Sequence, residues 1–164
     1  MEGNASITID TRKVVGRRTV RYESFDDILS DAERLAATRA RTLGNWSVGQ
    51  IYKHLALATD VMLDGAPASP PAPIQWLLRM VMKKRMTTKT LSPGFRLTRK
   101  AAVLIPDETT PQAGLLLLHN ATERVRSTTQ RARHPVFGAC TCEDWDAFHF
   151  RHCEMHMSFI IPEA

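Results

Sequence analysis

Apolar positions recur every three to four residues along most of the chain, the period of helices with one buried face. The first such run begins after Ser24, with Phe25, Ile28, Leu29, Ala32, Leu35 and Ala36 in phase. Ser24 is placed to cap this helix, Asp26 and Asp27 suit its first turn, and Gly44 is the expected stop. A second helix opens at Ser47-Val48-Gly49-Gln50, a capping box in which serine and glutamine side chains satisfy each other's backbone amides. Trp46 and Ile51 sit where a hydrophobic staple would form, and the helix is expected to run through Leu63 to Gly65.

Prolines 67, 70, 71 and 73 then make a connector. A shorter amphipathic helix is predicted from Ile74 to about Met86, apolar at Leu77, Leu78, Val81 and Met82 and basic at Arg79, Lys83, Lys84 and Arg85. Residues 87–110 read as a long loop. Thr110-Pro111 is a cap followed by proline at the first helical position, opening a helix to about Arg131. Thr141 caps a last helix that ends before Pro162. Strand signal is nearly absent. Four long helices, one short one and long connectors imply an all-α chain, a four-helix bundle with crossover connections. Residues 1–21 form an N-terminal arm, basic at Arg12, Lys13, Arg17, Arg18 and Arg21. The choice is between a solvated basic terminus and a segment that forms a short strand, or packs extended against the body, through Val14, Val15, Val20 and Tyr22. Residues 22–164 form the single domain.

Composition narrows the class. The 164 residues are 43% hydrophobic and 24% charged, ordinary for one globular domain. No apolar run approaches the roughly 18 residues of a membrane span, so no membrane partner is expected. Three cysteines cannot close a disulfide framework, and no secretory leader is evident, which places the expected location in the cytoplasm. The net charge of +5 permits an anionic ligand without requiring one. Nucleic acid is disfavoured: the basic stripe at 79–85 lacks a base-stacking pattern and reads better as a solvated helix face.

The chemistry concentrates in the last helix. His152 and His156 stand four residues apart and therefore on one helix face, where two imidazoles can reach one metal ion. His149 lies on the same face, among Trp145, Phe148, Met155 and Phe159. His54 of the second helix also points inward, beside the small Ala58. Inward histidines are costly unless their nitrogens are satisfied, by a metal or by backbone and one another. Three histidines with open positions would make a reactive rather than a closed structural site. Glu does not directly follow the first histidine, as it does in zinc proteases, and Glu154 points away from the pair. Cys153 borders the face, as a small core residue or a fourth ligand. Gln50, His149 and His119 are the candidates for orienting substrate or relaying a proton. His134, before a proline, is given no role.

Gly44-Asn45-Trp46-Ser47-Val48-Gly49-Gln50 with His54-Leu55-Ala56 resembles the second-helix signature of the DinB/YfiT-like superfamily. His134-Pro135-Val136-Phe137-Gly138, Glu143-Asp144-Trp145, Arg151-His152 through His156, and Ser158-Phe159 resemble the C-terminal signature of one uncharacterised bacterial subfamily. The resemblance implies a four-helix bundle of metal-dependent enzymes. Their ion is held by one histidine of the second helix and a His-x-x-x-His pair of the last, here His54, His152 and His156. It also implies a homodimer. Relatives include thiol-cofactor transferases, a mycothiol-dependent isomerase and an amidase-like hydrolase. The expected cofactor is a divalent ion (zinc, nickel or iron), with a low-molecular-weight thiol as a second candidate. The expected partner is a small-molecule substrate, with the basic helix favouring an anionic one. The alternative is a non-catalytic metal- or ligand-binding bundle acting through a partner or dimer.

Overall fold

Side-chain caps decide where the helices begin. The computed structural model describes residues 8–66, 69–95 and 99–163. Helix α1 (Phe25–Ala36) starts at a capping box between Ser24 and Asp27, and α2 (Val48–Asp64) at one between Ser47 and Gln50. Thr110 caps α4 (Pro111–Arg126) and Thr141 caps α5 (Cys142–Met157), each hydroxyl accepting from the amide three residues on. Gly65 ends α2 at φ 83°, a conformation that costs glycine nothing.

The ends differ from the sequence expectation. α1 stops at Ala36 rather than near Gly44, because the Thr38 hydroxyl takes the Arg34 and Leu35 carbonyls and the chain turns. Residues beyond it form β1 (Ala40–Thr42), which pairs antiparallel with β2 (Ile160–Pro162) after α5. Three-residue strands carry no periodic signal, so both were missed. α4 likewise ends at Arg126, five residues early, where Ser127 bonds back to Arg124. α3 (Ala72–Thr88) is as long as α2, with Pro73 in its first turn, and is not the short helix expected. Within the predicted loop 87–110, Arg99–Leu104 forms a 3-10 turn. Residues 1–7 of the arm and Pro67 of the connector lie outside the described residues.

The chain is largely all-α, with five α-helices and one two-stranded ribbon among the described residues. α2 packs most extensively on α4, α3 lies on α5, and α1 bridges α4 and α5. Ile28, Leu35, Tyr52, Leu55, Leu118, Met157 and Ile160 fill the main core. Met62, Val125 and Trp145 form a smaller cluster beside it. The arm makes a 3-10 turn at Thr11–Lys13 and then packs on this body through Val14, Val20 and Tyr22, while Val15 is exposed. The Arg18 amide donates to the Ser158 carbonyl, its guanidinium pairs with Asp31 at 2.7 Å, and Tyr22 is buried. Among the described residues no helix is long and apolar enough to cross a membrane.

The orientation of α3 corrects the reading of its basic stripe as a solvated face for Arg79 and Lys83, whereas Lys84 and Arg85 are exposed as expected. Arg79 donates to the Ala139 carbonyl, Lys83 pairs with Asp144, and buried Gln75 donates to the Pro135 carbonyl. Gln75, Arg79 and Lys83 of α3 therefore face α5 and the turn before it, and much of the helix's apolar side faces out.

Candidate metal centre

Three histidines from two helices meet at one point. His54 comes from the middle of α2, and His152 and His156 from successive turns of α5. Their ligating nitrogens all lie within 4.8 Å of one another, a group that could hold a metal ion. His54 is buried, and the other two are half-buried.

The hydrogen bonding of His54 fixes its chemistry. Nδ1 lies 2.7 Å from the Leu104 carbonyl oxygen. A carbonyl only accepts, so Nδ1 carries the proton and the Nε2 lone pair is free. That Nε2 sits 3.3 Å from His152 Nε2. Two imidazole nitrogens about 2.0–2.1 Å from a tetrahedral ion would be about 3.3 Å apart. The Nδ1–H to carbonyl bond is also the usual support for a ligating imidazole, holding its tautomer and ring plane.

Aromatic rings wall the site. Trp46 stacks on His156 with centroids 5.5 Å apart and planes 13° apart, and tilts over His54 at 4.7 Å. Phe148 lies parallel to His152 at 6.4 Å. Burial, first, and the neighbouring imidazoles, second, push His152 and His156 well below the ordinary histidine value. Burial lowers His54 as well, against the pull of the Leu104 carbonyl. All three are thus neutral at pH 7, the form that ligates.

The other candidates are engaged elsewhere. Gln50 Oε1 accepts from the Ser47 amide at 2.9 Å, and its amide donates to the Pro106 carbonyl at 3.4 Å, so its side chain completes the cap of α2. His119 Nε2 meets Glu33 at 2.8 Å on the outer side of α4 and α1. His149 is a buried hydrogen-bonded core residue. The Thr59 hydroxyl donates to the Leu55 carbonyl, so it accepts from His149 Nε2–H at 3.0 Å. Cys153 Sγ lies 3.3 Å from the same nitrogen, facing His149 rather than the three-histidine group. Glu154 points away from the histidines: its carboxylate accepts from the Tyr22 amide and the Thr90 hydroxyl and pairs with Arg151 at 2.9 Å, Glu154 and Arg151 both being fully buried.

Three contributors were missed in the sequence. The Leu104 carbonyl is backbone in a segment read as loop, and no side-chain pattern marks it. Trp46 was legible only as a staple. His134 is a structural hub: its Nδ1 accepts from the Val136 and Phe137 amides, and its ring packs against Phe137, Trp145 and Phe148. A histidine acceptor closing its own turn in His-Pro-Val-Phe-Gly is the signal that could have found it.

Fold and site define a largely helical protein with a three-histidine group able to hold an ion. Residues 15–163 match the model of a family described as a protein of unknown function, DUF1569, and the chain belongs to that family. No curated protein and no solved structure matches it.

Proposed function

We propose that this protein is a divalent-metal-dependent enzyme of the DinB/YfiT-like kind, in which α1, α2, α4 and α5 form the four-helix bundle and α3 is the additional helix. The observation that carries the reading is the free His54 Nε2 set 3.3 Å from His152 Nε2, with the His156 ring alongside. Two imidazole nitrogens at that distance share a proton or a cation, and a third neutral imidazole alongside favours the cation. His54, His152 and His156 would hold it; zinc, nickel and iron all suit imidazole. A divalent ion held by neutral ligands keeps its full charge and supplies Lewis acidity, making a nucleophile of water or a thiol near neutral pH. Leu104 keeps His54 aimed, while Trp46 and Phe148 restrict ring rotation and access of water. The reaction class is thiol transfer to an electrophile, or hydrolysis, on a small substrate in a reducing cytoplasm.

The non-catalytic reading, a metal- or ligand-binding bundle, draws on one observation. Gln50, His149 and His119 each have other partners, so none is free to move a proton at the site.

Elemental analysis of tag-free protein beside His54→Ala tests the site. About one ion per chain, lost in the variant, is expected. No ion in either protein after incubation with zinc, nickel and iron salts would overturn the proposal. Turnover of a panel of thiols and electrophiles by the loaded protein then separates enzyme from binding module.

A further inference from the structure

α3 is folded inside out. Its inward residues, Gln75, Arg79 and Lys83, hydrogen-bond or pair with α5 and the turn before it. Ile74, Trp76, Leu77, Met80 and Val81 face outward and are each between 49% and 71% exposed. Five large apolar side chains on one exposed helix are more than scattered surface residues, and such a patch marks an interaction surface.

Charge identifies the occupant. Eight of the chain's twenty-two basic residues and none of its seventeen acidic ones lie between Gly65 and Pro106. The remainder is net acidic, fourteen basic against seventeen, so this segment holds the whole positive excess. On α3 itself, Lys84 and Arg85 continue the outward stripe of Ile74, Leu77 and Val81, and Lys89 follows; all three cations are exposed. None has an ion-pair partner among the described residues. A second copy seated on the same face would set like charge against like charge. Nucleic acid would answer the charge but leave aliphatic Leu77, Met80 and Val81 without a partner. An anionic bilayer surface answers both: apolar side chains enter the headgroup boundary, and cations meet the lipid phosphates.

We propose that α3 is a peripheral membrane-docking helix that lies along an anionic phospholipid surface. Trp76 sits at headgroup depth, as interfacial tryptophans do, and Lys84 and Arg85 reach back to the phosphates. The sequence expectation of no membrane partner rested on the lack of a spanning segment, which peripheral docking does not need. The proposal is independent of the histidine site.

Vesicle co-sedimentation and tryptophan emission test it, using phosphatidylcholine vesicles with and without phosphatidylglycerol. Binding should require the anionic lipid, weaken with salt and blue-shift emission, and the shift should vanish in Trp76→Phe. Lys84→Gln/Arg85→Gln should weaken binding on the order of tenfold or more, the effect of two cations at an anionic leaflet. Leu77→Ser/Val81→Ser should weaken it comparably. Both pairs are exposed, so an unchanged thermal midpoint is the control for folding. Equal sedimentation with neutral and anionic vesicles would overturn the proposal, as would no sedimentation with either. So would a dimer that Leu77→Ser/Val81→Ser dissociates, or tight duplex-DNA binding that ignores that change.

Discussion

Single residues divide this protein's histidines into three kinds. His54, His152 and His156 share a point in space, His149 and His134 are buried with hydrogen-bond partners, and His119 pairs with Glu33 at the surface. The spacing of His152 and His156 was readable because four residues make one helical turn. The separate fate of His149 was not, because its partners Thr59 and Cys153 decide it, and Thr59 comes from another helix. The buried pair of Arg151 and Glu154 escaped the sequence altogether. Its removal should be costly: breaking a buried ion pair on one side leaves an uncompensated charge, worth about 3–5 kcal/mol. Glu154→Ala is therefore expected to lower unfolding free energy by that amount, measured by urea titration. A loss under 1 kcal/mol would show that Arg151 finds water instead.

At the scale of elements, starts were more legible than stops. Ser24, Ser47, Thr110 and Thr141 all cap as expected, since a cap is a local contact. α1 and α4 ended early, since nothing in a helical pattern says where tertiary contacts cease to support it. The tight crossing of α2 and α4 shows the same blindness. A Cβ on Gly49 would run into the Thr109 carbonyl, and one on Gly114 into the Gly49 carbonyl and Tyr52. The two helices approach through bare backbone there. Gly49→Ala and Gly114→Ala should each cost about 1–3 kcal/mol by overpacking, although alanine is the better helix former. Thermal midpoints decide this; a rise in either variant would mean the crossing has slack.

For the whole molecule, buried neutral histidines set the response to acid. Burial pushes His134 and His149 down to about 3. In the unfolded chain a histidine titrates near 6.5. Between these values the unfolded state binds protons that the native state refuses, so stability rises with pH and is lost as pH falls below about 6.5. Each histidine removes up to about 1.4 kcal/mol per pH unit. Urea midpoints at pH 7 and pH 5 should differ accordingly, and a flat profile would mean that neither ring is held neutral. The pairing of β1 with β2 was invisible in the sequence, and the packing of the arm was legible only as one of two alternatives without its partners, because both join residues more than a hundred positions apart. They nonetheless bear on the site. Glu154 is a keyway: the arm, through Tyr22, and the segment after α3, through Thr90, both lock into the back of α5. Each residue of a helix turns the next by 100°. That lock therefore sets the angular phase at which His152 and His156 present themselves. If the three histidines hold the ion proposed for them, its affinity would be detuned from the far side of α5, by slipping the helix about its own axis without touching His54, His152 or His156.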